Sequence, residues 1–170
     1  MLRMAGAMLL TCGAAALGFS AAGALHRRVS SLRAMLGALE LMDRELSFRL
    51  TPIPELLDRL AGQAAAPAGP FFAACRDGLG ALGEQSLARI WRGALAQRPM
   101  DLSREDLSAL EELGEILGRY DGPGQRQALG EIRSRLAHQL EGAEEESRRM
   151  GRVYGALGLT AGSMLAILLL

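Results

Sequence analysis

Two uncharged runs, one at each end, constrain this chain more than any other feature. "MAGAMLLTCGAAALGFSAAGAL" covers residues 4–25, 22 residues without a charge, and "VYGALGLTAGSMLAILLL" covers 153–170, another 18. As α-helices they would reach about 33 Å and about 27 Å. A bilayer hydrocarbon core is about 30 Å thick. Each run is therefore expected to form a transmembrane helix, with residues 26–152 as a domain held between two anchors. A cleaved signal peptide fits the first run less well. The run is longer than a usual signal core, and its basic cluster His26-Arg27-Arg28 follows it instead of preceding it. "LLTC", ending at Cys12, carries Thr11 where a lipoprotein signal takes a smaller residue. A buried tail helix is the competing reading of the second run.

The arginines set the expected orientation. Arg27, Arg28, Arg33, Arg148, Arg149 and Arg152 lie just inside the two runs, against Arg3 alone outside. Positive charge stays on the cytoplasmic side, so 26–152 is expected in the cytoplasm. Gly151/Gly155 and Gly158/Gly162 are GxxxG pairs, and Ala14/Gly18/Ala22 is a looser version. Such faces let transmembrane helices approach closely, against each other or a membrane partner.

The intervening apolar mass is Leu and Ala, both strong helix formers, while aromatics are only 4% and Val is almost absent. This composition predicts an all-α fold: a bundle of about five to six helices flanked by the two transmembrane helices. Val29, Leu32, Leu36, Leu39, Met42 and Leu46 recur at helical spacing. The first membrane helix is thus expected to run on to about Leu50. Next comes "TPIPELLDRLAGQ". Thr51 suits an N-cap, and Pro52 and Pro54 fall where a missing N–H costs nothing. Glu55 then meets the positive end of the helix dipole. The corner should fold Leu56, Leu57 and Leu60 back onto the Leu39/Met42/Leu46 stripe.

"AAAPAGP", 64–70, reads as a linker, and a short helix from about Pro70 carries Phe71, Phe72 and Cys75. A further helix from about Glu84 to Gln97 places Leu87, Ile90, Trp91 and Leu95 on one face. Trp91, the one tryptophan, is expected in the core. "LSREDLSALEELGEILG" is capped by Ser103, with Glu105 and Asp106 in its first turn. Its stripe is Leu107, Leu110, Leu113 and Leu117, and Gly118 suits the stop. The last helix starts near Gln125, carries Leu129, Ile132, Leu136 and Leu140, and can continue into the second run. Its Glu141 and Glu144–Glu146 stand at pairing distance from Arg148 and Arg149.

Charge and motifs narrow the function classes. From 34 to 147 there are 12 arginines against 19 acidic residues, a balance of −7. An acidic middle argues against nucleic acid as a partner. The chain has no lysine, which excludes the GxxxxGK[ST] phosphate loop, and HExxH, CxxC and GxSxG are absent. Cys12 and Cys75 lie far apart in unlike contexts, so a disulfide framework is not indicated. His26 borders the membrane run, and His138 lies off the Leu136/Leu140 stripe. No catalytic, cofactor-binding or metal-ligating residue is assigned, and no cofactor is expected.

Four features stand in order: an N-terminal span ending in basic residues, "LELMDRELSFRLTPIPELLDRLA", "LSREDLSALEELGEILGRYDGPGQ" and an apolar tail. Together they resemble the stage III sporulation protein AB family, across nearly the whole chain. Leu39, Met42, Glu45, Leu46, Phe48, Thr51, Pro52 and Ile53 match the first pattern, with Leu56 where alanine is common. Gly114, Gly118, Asp121 and Gln125 match the second. "GPG", 122–124, departs from it.

The resemblance implies a subunit of the channel complex joining mother cell and forespore, in the mother-cell membrane around the forespore. Its cytosolic domain would be similar to the helical domain of type II secretion and type IV pilus platform proteins. By that similarity it would dock a secretion-type ATPase and hydrolyse nothing itself. Expected partners are the ATPase, other channel subunits and the membrane, and homo-oligomers are compatible. The docking candidates are the corner residues Thr51, Pro52, Pro54, Glu55 and Asp58, and the helix end with Gly114, Glu115, Gly118 and Asp121. Pure architecture is the competing reading of both. A helical signalling or sensory membrane protein is an alternative function, as is a true secretion or pilus platform. The latter usually carries two copies of the domain, and no internal repeat is visible here.

Overall fold

In the computed structural model the backbone is described for residues 2–48, 51–81, 83–97, 100–117 and 122–169, and side chains for those of them from 23 to 151, except 122–123, and for 153. Among the described residues there are six α-helices and no strand: α1 Leu2–Phe48, α2 Ile53–Gln63, α3 Ala68–Gly78, α4 Leu87–Gln97, α5 Arg104–Leu117 and α6 Gly122–Leu169. A short 3₁₀ turn, Leu79–Ala81, follows α3. The expected helical class is correct. Both end runs are helical in backbone, as the ends of α1 and α6. Among the described residues no helix is long and apolar enough to cross a membrane. The side chains of the two uncharged runs lie outside those residues, except for 23–25 and 153.

The chain divides into two units, Met1–Arg27 with Gly142–Leu170, and Arg28–Glu141. In the first, Ala143 is buried and Arg148 pairs with Glu144 at 3.5 Å, one helical turn away. The second carries most of the core and both candidate docking regions.

In that second unit the α1 stripe is buried at Val29, Leu32, Leu39 and Met42, while Leu36 and Leu46 are half-buried. Leu56, Leu57 and Leu60 of α2 are fully buried. The start of α2 differs from expectation by one residue. Its N-cap is Pro52, with no side-chain cap, and Thr51 lies outside the helix. The reason is local. Glu45 is a buried carboxylate that needs a donor, and the Thr51 hydroxyl donates to its Oε2 at 2.9 Å. A hydroxyl held there does not serve the α2 amides.

Helix α3 starts earlier than expected and takes in Ala68–Pro70, read from sequence as linker. Pro67 is the N-cap, and Pro70 in the first turn needs no hydrogen-bond partner. Burial decides the matter: Ala68 and Gly69 are both buried. A Cβ on Gly69 would stand 2.6 Å from the Ala64 carbonyl oxygen, so the two helices meet too closely for any other residue. The chain then turns through Gly83, whose φ of +115° suits glycine, and α4 begins at Leu87 instead of Glu84.

The centre of α3–α5 is aromatic. Phe71, Phe72 and Trp91 are fully buried, and their rings meet edge to face at 4.9, 4.9 and 5.8 Å. Each such pair is worth about 1 kcal/mol beyond area burial. The Trp91 indole N–H donates to the Leu110 carbonyl at 2.8 Å, which satisfies its one polar atom. Cys75 is buried beside this cluster on α3, and burial pushes its thiol up to about 12.

The buried face of α5 also differs from the expected leucine stripe. It runs through Asp106, Ala109, Leu110, Leu113, Gly114 and Leu117, with Leu107 only half-buried. A glycine and an aspartate sit inside, and each has a distinct reason.

Candidate docking surfaces

At the corner, the outer residues are exposed: Pro52, Pro54, Glu55 and Asp58. Phe48, at the end of α1, is 85% exposed. The charged members are held in networks. Arg59 donates to Glu55 at 2.8 Å and lies 3.5 Å from Glu45, which also accepts from Thr51. These contacts, the Glu55 hydrogen bond above all, raise the Arg59 pKa further. Arg76 of α3 pairs with Asp58 at 3.1 Å and with Asp77 at 2.9 Å. Thr51 and Glu45 thus face inward and bind the corner together. Glu55 and Asp58 present their carboxylates at the surface.

At the other candidate region the residues divide. Gly114 is buried beneath Trp91, where a Cβ would stand 2.6 Å from the indole Cδ1 and Cγ. Glycine is required there by close approach of the ring. Glu115, its neighbour, is exposed. Gly118 and Asp121 lie outside the described residues. Gln125, matched in the resemblance, donates its side-chain amide to the Leu117 carbonyl at 3.2 Å and so satisfies one orphan acceptor at the end of α5.

Glu115 lines a groove of about 390 Å³ between α5 and α6, with Glu112, Glu131, Gln127, Ile116, Ala128 and Gly124. Glu112 pairs with Arg135 at 2.9 Å and Gln127 donates to Glu131 at 3.2 Å. Ile116 and Ala128 are half-buried there, and Glu112, Glu115 and Glu131 are exposed. The corner and this groove are separate features of one unit. Of the transmembrane packing candidates, Gly151 is exposed with open space where a Cβ would point. Gly155, Gly158 and Gly162 lie outside the residues with described surroundings.

The most tightly built polar site was not singled out from the sequence. Asp106, with 0% exposure, accepts from Arg28 Nε at 2.8 Å and Nη2 at 3.1 Å. It also accepts from the Ser103 backbone N–H at 2.8 Å, while the Ser103 hydroxyl accepts from the Asp106 N–H at 3.2 Å. This is a reciprocal capping box built on aspartate, and Ser103-x-x-Asp106 is its sequence signal. Burial alone would raise the Asp106 pKa. The hydrogen bonds from Arg28 and Ser103 outweigh it and hold the carboxyl below its usual 3.8. Arg28, read from sequence as a charge beside a membrane run, is therefore also an internal ion-pair partner.

Comparison with known proteins agrees with this architecture. A sequence model of the stage III sporulation protein AB family matches residues 3–170. The stage III sporulation protein AB of Bacillus subtilis (strain 168) is 25% identical over 177 residues, covering 100% of both chains. A solved structure of a stage III sporulation protein AB superposes with a TM-score of 0.65 at 24% identity, over 72% of this chain and 97% of that one. It supports the helical fold. With the family match spanning almost every residue, this chain belongs to the stage III sporulation protein AB family and acts in sporulation.

Proposed function

We propose that the protein is a non-enzymatic membrane subunit of the channel complex between mother cell and forespore. The runs 4–25 and 153–170 anchor it in the mother-cell membrane around the forespore. Its helical domain, 26–152, faces the mother-cell cytosol and docks a secretion-type ATPase together with other channel subunits. The observation that carries the docking reading is the groove lined by the exposed Glu112, Glu115 and Glu131 together with the half-buried Ile116 and Ala128. Such a surface fits a basic, partly apolar partner segment. The exposed Glu55 and Asp58 extend the acidic character to the corner.

The test is co-purification of the detergent-solubilised full chain with the sporulation ATPase of the same organism. Binding should fall at least tenfold with Glu115→Arg and to a smaller extent with Asp58→Arg, and should survive Trp91→Phe. A folded protein that captures no ATPase would sink the docking mechanism. Membership of the family would be unaffected.

A further inference from the structure

We propose that the Arg28–Asp106 pair is a latch through which the position of α1 controls the order of the first turn of α5. Arg28 is the first residue of the second unit, and α1 continues from it toward Leu2. Its guanidinium reaches across to α5 with three hydrogen bonds, two to Asp106 and one, at 3.3 Å, to the Ser103 hydroxyl. Those two residues are the capping box of α5. One carboxylate therefore serves both the cap and the arginine.

The consequence follows from burial. With Arg28 in place Asp106 has no solvent exposure, so a carboxylate released from the pair must move or admit water to be hydrated. A buried charge without its counter-ion is strongly unfavourable. A side chain that swings out leaves the Ser103 N–H without an acceptor. The Asp106 N–H to Ser103 Oγ bond and the Leu107 N–H to Ser103 carbonyl bond, 3.0 Å, depend on the same turn. Fraying should stop there. Beyond Ala109, α5 is held by the buried Leu110 and Leu113 and by the Trp91–Gly114 contact.

The latch is sensitive to α1 because helical geometry makes it so. A slide of one residue moves a side chain about 1.5 Å along the axis and about 100° around it. Either displacement removes the paired geometry. Coupling of this kind is reciprocal, so a partner that orders or loosens the start of α5 also shifts α1. None of this depends on what docks on the groove.

The test is hydrogen–deuterium exchange on the full chain in detergent, with peptides covering Met100–Ser108, α2, α3 and α4. Arg28→Ala should speed exchange at Ser103, Asp106 and Leu107 by about tenfold or more, and leave α2–α4 unchanged. Arg28→Lys keeps the charge but loses the paired donors and should give an intermediate rate. In an Asp106→Ala background, Arg28→Ala should add little, because the pair is already broken. Unchanged exchange at α5 would overturn the latch. So would a uniform rise across the unit, the mark of plain loss of stability, or fully additive effects of the two substitutions. Should Arg28→Ala fail to fold, Arg28→Gln and Arg28→Lys carry the same comparison.

Discussion

The two faces of α5 solve the packing problem by different means. Toward α3 and α4 the contact is apolar and shaped: Trp91 lies over Gly114, with Phe71 and Phe72 edge to face around it. Toward α1 the contact includes a buried aspartate tied to Arg28, and α1 adds the half-exposed pair Asp43–Arg133 at 2.8 Å and the bond of Thr51 to Glu45 at 2.9 Å to its buried apolar stripe of Val29, Leu32, Leu39 and Met42. Apolar contacts supply stability in proportion to the area removed from water. Buried polar pairs add little net stability but are intolerant of displacement. The difference indicates that the aromatic cluster and the apolar stripe of α1 hold the unit together, while the Arg28–Asp106 pair selects where α1 sits against α5.

Trp91→Ala attacks the apolar side and should have the largest effect. It should destabilise by about 4 kcal/mol in chemical denaturation of the full chain. A loss below about 1 kcal/mol would mean the aromatic cluster is not the anchor. Asp106→Ala removes both the cap and the pair, and about 3 kcal/mol should be lost at neutral pH. The double variant Arg28→Met/Asp106→Leu should recover most of that, because apolar replacement of a buried pair is often neutral. If the shortfall exceeds the roughly 1 kcal/mol of the lost cap, the pair is a net source of stability and the contrast between the faces fails.

Asp106 also has a pH signature. Its carboxyl is held below the usual 3.8 by Arg28 and Ser103, against the opposing effect of burial. A depressed folded pKa means the contribution is complete above the unfolded value and is lost as pH falls through the folded one. The penalty of Asp106→Asn should therefore be constant at neutral pH and shrink in acid below about pH 4.

Gly114→Ala sharpens the shape argument. The added methyl would press on the Trp91 ring, and the expected cost is about 2 kcal/mol. The same substitution should cost nothing in a Trp91→Ala background, which calorimetry of the two variants would show. Thr51→Val tests the corner and should cost about 1 kcal/mol by leaving Glu45 short of a donor. Smallest of all is Asp58→Ala. Its exposed pair with Arg76 should leave the denaturation midpoint unchanged.

Much of the helical order was legible beforehand. Leucine spacing marks α4 and the buried half of α6, and Ser103 marks the start of α5, because these signals are local in sequence. Three of the errors share a cause. Ala68–Pro70 read as linker, Thr51 read as an N-cap, and Leu107 read as core while Asp106 did not. Each was decided by a group on, or at the end of, a preceding helix: the carbonyl of Ala64, the C-cap of α2, and the Glu45 carboxylate and Arg28 guanidinium of α1.

The sequence by itself determined the helical class, the placement of apolar runs at both ends and the family, since composition, periodicity and motif order need no third dimension. Tertiary structure alone decided that Gly114 lies under an indole, that Glu55 and Asp58 are surface groups while Thr51 is internal, and that Arg28 closes on Asp106. Helical periodicity states which residues share a face. Which partner meets that face, and whether an aspartate can be buried in it, depends on contacts between residues as far apart as 78 and 90 positions.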